Sequence, residues 1–277
     1  MDFTVRNINA PFDLDDEIPL FGEAAKGADL WTTLNGESVI RNIVNPTLVP
    51  FRPPVQVPDR NEAVIIAPGG GMLLLAIENE GVNVAETLAA EGYTAYVLKY
   101  RVQPTTVDPE GFQQQCHAFY AQKMANGPGR AESHLESEQA VADLVAAVAH
   151  IRAPQQPQFS KLHFLGFSAG AKVGVDALAL PAFDGVLSTM ALLYFSLECP
   201  PSIGTQPPAL FAAMANDDPL FSRSGFGLIE KWQEVGQEVE FHLFKNGGHG
   251  FAGKPNGSSS DQWFTLYLNW LKMNHTK

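Results

Sequence analysis

The chain has 277 residues, a formal net charge of −12 at pH 7 and a hydrophobic fraction of 45%. That acidic balance, with 18 Lys and Arg and no basic cluster among them, argues against a phosphate-backbone partner, so no nucleic acid is expected. No apolar run reaches the roughly eighteen residues that a membrane helix needs, and "MDFTVRNINAPFDLDDE" has neither the basic nor the apolar region of a signal peptide; a cytoplasmic protein is expected from the chain as written, with a secreted or periplasmic one as the alternative if the sequence is a trimmed form.

In chain order, the first 35 residues carry Asp and Pro and are expected to wrap the surface. "SVIRNIV" and "TLVPFRP" flank Asn45-Pro46, and this turn-favouring step predicts an antiparallel pair at a sheet edge. From residue 62 short apolar runs rich in β-branched and aromatic residues alternate with helical patterns. The strand-like runs are 62–67, 93–100, 161–166, 188–195, 209–214 and 238–244, and their nearly unbroken apolar character suits parallel strands covered on both faces. The helical patterns are Val82–Ala90, Glu136–Arg152, Ala169–Ala179, Gly225–Val235 and Asp261–Met273. In the second, Val141, Leu144, Val145 and Val148 form one apolar stripe at i, i+3, i+4 and i+7. Repeated βα order predicts one doubly wound α/β domain over 1–277, with a mostly parallel sheet, an antiparallel N-terminal edge and helices on both faces. Residues 103–135 are too long for an ordinary connection and are expected to be a lid or insertion.

Four segments that follow strands carry chemistry. "GFSAGA" places Ser168 between Gly166 and Gly170, where a chain doubling back from strand to helix has no room for side chains. A Gly-x-Ser-x-Gly match occurs by chance about 0.1 times in a chain of this composition, so its position after a strand and before a helix is what gives it weight. "APGGGM" exposes backbone N–H groups at the end of the first central strand, and Gly70 or Gly71 together with Ala169 could bind a developing oxyanion. "MANDDPLF" offers Asp217 and Asp218, and "KNGGHGF" offers His249.

A serine hydroxyl is a weak nucleophile at neutral pH and needs a base, here His249, with an acid to hold the imidazole in the right tautomer. Asp218 is favoured as that acid because it precedes Pro219, which restricts its backbone. Asp217 should then point to solvent or cap a helix starting near Ser222. Each element alone has a duller explanation as loop or cap chemistry.

These segments, with "IRNIVNPTLVPFRP" and "YVLKYRVQP", resemble the α/β-hydrolase superfamily, and within it the acetyl-xylan-esterase-like carbohydrate esterases related to hormone-sensitive lipases, over about residues 38–273. The resemblance implies hydrolysis of short acyl esters, including acetyl groups on sugars, by Ser168, Asp218 and His249 without a cofactor. Its partner would be a small-molecule ester, with Met72 and Phe251 as candidate pocket residues. Met72 stands where relatives often carry an aromatic, and Ala171-Lys172 where they often read Gly-His. A peptidase or thioesterase of the same fold, or a non-catalytic binding member, are the alternatives. Cys116 and Cys199 show no metal or redox spacing and read as buried free thiols, and the scattered histidines support no metal.

Overall fold

The computed structural model describes residues 3–12, 14, 16–22, 27–131, 135–253 and 255–275. The chain opens with short strands β1 (Val5–Asn7), β2 (Ile18–Pro19), β3 (Leu30–Leu34), β4 (Glu37–Arg41) and β5 (Thr47–Phe51). Strands and helices then alternate through β6 (Glu62–Ala67), α1 (Asn83–Ala90), β7 (Thr94–Lys99), α2 (Pro109–Lys123), α3 (Glu138–Ile151) and β8 (Lys161–Phe167). The second half comprises α4 (Ala169–Ala177), β9 (Thr189–Leu193), β10 (Ala209–Ala215), α5 (Gly227–Glu234), β11 (Val239–Phe244) and α6 (Trp263–His275).

Eight strands form one sheet in the order β11-β10-β9-β8-β6-β7-β5-β2, in which β5 pairs antiparallel with both β7 and β2 and the other neighbours pair parallel. The central strands β6, β7, β9 and β10 are buried along their whole length, as parallel strands covered on both faces must be. Edge strand β11 is only partly covered. This is the doubly wound, mostly parallel α/β sheet that the strand and helix order implies.

The N-terminal edge is built differently from the expectation. "SVIRNIV" and "TLVPFRP" do not pair with each other: β4 pairs with β3 in a separate sheet of order β1-β3-β4, while β5 pairs with β7. The physical reason is Asn35-Gly36, a two-residue loop with φ of 53° and 84°. Both residues at positive φ make the turn whose twist matches a β-hairpin, so it outcompetes the Asn45-Pro46 step. The first 35 residues therefore supply three strands as well as surface wrapping.

Segment 103–135, whose residues 132–134 lie outside the described residues, contains helix α2. Its start is chemically marked: the Asp108 side chain accepts from the Gly111 N–H at 2.8 Å and Pro109 opens the helix. The small sheet and α2 share a satellite core of Phe3, Val39, Leu74, Phe112 and Cys116. Fully buried Arg41 clips these parts together. Its guanidinium donates to Thr32 Oγ1 at 2.9 Å, Thr105 Oγ1 at 3.0 Å and the Val107 carbonyl at 2.9 Å, and lies 4.2 Å from the Phe112 ring centre. The far end of the segment is also fastened, because Gly129 and Ala131 N–H groups donate to the Pro219 and Leu220 carbonyls at 2.7 Å.

Candidate active site

Ser168 ends β8 and starts α4 at φ 48°, ψ −111°, a conformation that costs a non-glycine residue about 1–3 kcal/mol and persists only where the surroundings enforce it. Its N–H donates to the Leu193 carbonyl at 3.0 Å, pinning the turn to β9. The flanking glycines have measurable reasons. A Cβ on Gly170 would sit 2.0 Å from the Ala67 carbonyl oxygen, and one on Gly166 would sit 2.7 Å from the Ala171 Cα.

Ser168 Oγ lies 2.9 Å from His249 Nε2, and His249 Nδ1 lies 2.9 Å from Asp218 Oδ2. Asp218 is buried, and its other oxygen accepts the Leu220 and Phe221 N–H groups at 2.7 and 3.1 Å. The imidazole is held laterally by the rings of Tyr194 and Phe221, with centroids at 5.2 and 5.6 Å. Asp217 is exposed and accepts the Gly248 N–H at 2.8 Å. It caps the histidine loop rather than a helix near Ser222, because the next helix, α5, begins only at Gly227.

The glycine loop after β6 carries φ of 133° at Gly70 and 63° at Gly71. It is tied on one side by the reciprocal Ile40–Leu75 backbone bonds of 3.0 and 2.7 Å, and on the other by Gly69 N–H to Glu80 Oε2 at 2.5 Å. Among the described residues, the N–H groups of Gly70, Gly71 and Ala169 donate to no protein acceptor, and all three residues line the same cavity as Ser168 and His249. That cavity measures about 180 Å³, and its walls are largely apolar, with Leu73, Leu74, Phe119, Tyr120, Phe195 and Phe221 prominent.

Met72 and Phe251 do not line it. Met72 is buried in the main core behind the glycine loop, where its carbonyl accepts from the Gln103 N–H at 2.7 Å. Phe251 packs behind the histidine on Tyr194 and Phe244, at 4.8 and 5.7 Å between ring centroids. Met72 also holds a positive φ of 61°. The walls come instead from β3, α2 and the loops after β9 and β10; α2 lies in the segment 103–135 expected to be a lid or insertion, but the sequence reading names no residue of it for the pocket. The "DPEG" helix start at 108–111 was the available signal for α2. Lys172 lines the cavity with its ammonium held by both Asp176 oxygens, at 2.6 and 2.5 Å.

Of the two cysteines, Cys116 is buried and Cys199 is exposed. Among the described residues there is no cluster of His, Cys, Asp or Glu able to hold a metal ion, and no helix long and apolar enough to cross a membrane.

The fold recurs in solved structures. An α/β hydrolase enzyme from a Medee basin deep-sea metagenome library aligns at TM-score 0.60 and 21% identity, covering 85% of this chain and 95% of that one. An acetyl ester-xyloside bifunctional hydrolase from Caldicellulosiruptor lactoaceticus aligns at TM-score 0.60 and 18% identity, covering 93% and 95%. A propionate-bound thermophilic esterase from Thermogutta terrifontis aligns at TM-score 0.56 and 17% identity, covering 82% and 88%. No curated protein sequence matches the chain. The model of the dienelactone hydrolase family matches residues 54–273, which hold strands β6 to β11 together with Ser168, Asp218, His249 and the glycine loop, so the chain belongs to that family of α/β-fold hydrolases.

Proposed function

We propose that the protein is a serine esterase that cleaves short-chain carboxylic esters through an acyl-enzyme. The observation that carries this reading is the unbroken Ser168–His249–Asp218 hydrogen-bond chain, with both links 2.9 Å, set on a strained turn at the floor of a cavity. In the reaction His249 takes the Ser168 proton as Oγ attacks the ester carbonyl. The negative oxygen of the tetrahedral intermediate is met by unpartnered N–H groups of Gly70 or Gly71 and Ala169. Collapse expels the alkoxide, which leaves as the alcohol with the proton from His249. Water, deprotonated by His249, then attacks the acyl-enzyme and releases the acid.

A cavity of about 180 Å³ lies below the 300 Å³ or so at which drug-sized ligand sites begin, and this supports a small acyl group. Acetyl esters of sugars are the finer reading. An acetyl ester-xyloside hydrolase and a propionate-bound esterase among the proteins of similar fold support it.

The test is a p-nitrophenyl series from acetate to octanoate, beside an acetylated xylo-oligosaccharide and an aminoacyl anilide, run on wild type and Ser168→Ala. Acetate or propionate should be fastest, and the alanine variant should lose several orders of magnitude in kcat. An alanine variant keeping more than about a tenth of wild-type activity would remove Ser168 from the role. Octanoate outrunning acetate would overturn the short-chain assignment.

A further inference from the structure

One buried acid that the proposed reaction does not use, Glu80, lies beside the Ser168 cavity. Glu80 lies in a single π-helical stretch, Glu78–Val82, which leads into α1, and such stretches gather at functional sites. Its carboxyl is buried under the glycine loop, with Oε2 accepting the Gly69 N–H at 2.5 Å and Oε1 accepting the Tyr194 hydroxyl at 2.6 Å. Tyr194 is itself buried at a strained φ of 39° just past β9. Its ring stands edge-on to His249 at 5.2 Å, and its hydroxyl also faces the Ala252 N–H of the histidine loop. A carboxyl and a phenol thus connect Gly69, one residue from the proposed oxyanion donors, with the loop that carries the proposed base. Two irregular backbone segments converge on this contact.

We propose that Glu80 and Tyr194 form a positioning pair that holds the glycine loop and the histidine loop at a fixed separation around Ser168, so that oxyanion donors and imidazole face one reacting centre. The inference rests on the esterase reading given above. Neither residue touches the reacting atoms in this scheme. Burial raises the Glu80 carboxyl above the usual range, opposed by the Tyr194 hydroxyl and the Gly69 N–H, and burial likewise keeps Tyr194 protonated as a donor. The two hydrogen bonds are what the loops need, and glutamine keeps only one of them: its carbonyl accepts from Gly69, while its amide nitrogen cannot accept the Tyr194 O–H.

Glu80→Ala, Glu80→Gln, Tyr194→Phe and the Glu80→Ala/Tyr194→Phe double variant test the pair. Three readouts are taken: kcat and KM on p-nitrophenyl acetate, the second-order rate of Ser168 labelling by a fluorophosphonate, and the melting temperature. Glu80→Ala and Tyr194→Phe should each lower kcat and the labelling rate about 10- to 100-fold, with KM within about threefold, because misplacing reacting groups by a fraction of an ångström costs that much. The double variant should be no worse than the weaker single, and Glu80→Gln, which keeps the Gly69 bond and loses the Tyr194 one, should match Tyr194→Phe and not fall below Glu80→Ala. Wild type that neither turns over esters nor labels at Ser168 would overturn the esterase reading. Wild type that labels, with folded Tyr194→Phe labelling equally fast or with losses that multiply in the double variant, would overturn the positioning pair. Tyr194→Phe removes one oxygen only and decides the matter if Glu80→Ala does not fold.

Discussion

Asp218→Asn should cost kcat three to four orders of magnitude while Asp217→Asn costs less than about threefold, and the structure says why. In Asp218, Oδ1 accepts two backbone N–H groups, from Leu220 and Phe221, at 2.7 and 3.1 Å. An asparagine amide nitrogen placed there would face two donors, so its oxygen must take that position and its nitrogen must face His249 Nδ1, 2.9 Å away in wild type. Nδ1 then has to accept, which moves the ring proton to Nε2. Nε2 lies 2.9 Å from Ser168 Oγ and, once protonated, cannot take the serine proton. At 1.36 kcal/mol per decade, the loss corresponds to about 4–5.5 kcal/mol of transition-state stabilisation. Asp217 differs in kind: it accepts one N–H, that of Gly248, at 2.8 Å, and an asparagine carbonyl can accept the same bond. Steady-state kcat and KM on p-nitrophenyl acetate at pH 8, with melting curves to show that each variant folds, make the comparison. A large loss for Asp217→Asn with a mild one for Asp218→Asn would transfer the role. Equal mild losses would show that neither acid orients the histidine.

Gly170→Ala should destabilise the protein by about 3 kcal/mol or more, because the added methyl meets the Ala67 carbonyl oxygen at 2.0 Å and backbone on both sides cannot yield; denaturant melts compare it with wild type, and an unchanged midpoint would contradict the packing. Phe119→Ala should shift the ratio of kcat/KM for butyrate over acetate upward about tenfold, since the ring packs onto Gly71, where a Cβ would lie 2.7 Å from it, and walls the cavity; an unchanged ratio would place the acyl group elsewhere. Native protein at pH 8 should react rapidly with an aromatic disulfide reagent at Cys199 alone, because burial pushes the Cys116 thiol up to about 11 against the opposing pull of Arg41; Cys116 should react only after denaturant, and two fast thiols in the native state would refute this.

The parallel sheet was legible in the sequence because each buried strand is a short local run with apolar residues on both faces, and β6, β8 and β10 fall within a residue of their sequence bounds. The turn at Ser168 was legible for a similar reason, since Gly166 and Gly170 are required by contacts with Ala171 and the end of β6 that any such strand-to-helix turn brings close. The order of Ser168, Asp218 and His249 followed from which strands their loops leave. Tertiary structure alone decided what depends on partners distant in the chain. Strand β5 pairs with β7, more than 40 residues on, whereas the β3–β4 hairpin rests on the local Asn35-Gly36 step that the sequence reading passes over. Met72 and Phe251 back the loops that carry the site, while α2 and β3 supply the wall, because a cap with its own small core folds over the strand ends and is fixed by Arg41, whose partners run from Asn7 to Val107. Glu80 was hidden in "IENEGVN" because its meaning lies in Gly69 and Tyr194, and side chains that far apart in sequence meet only when the sheet has brought β6 and β9 to either side of β8.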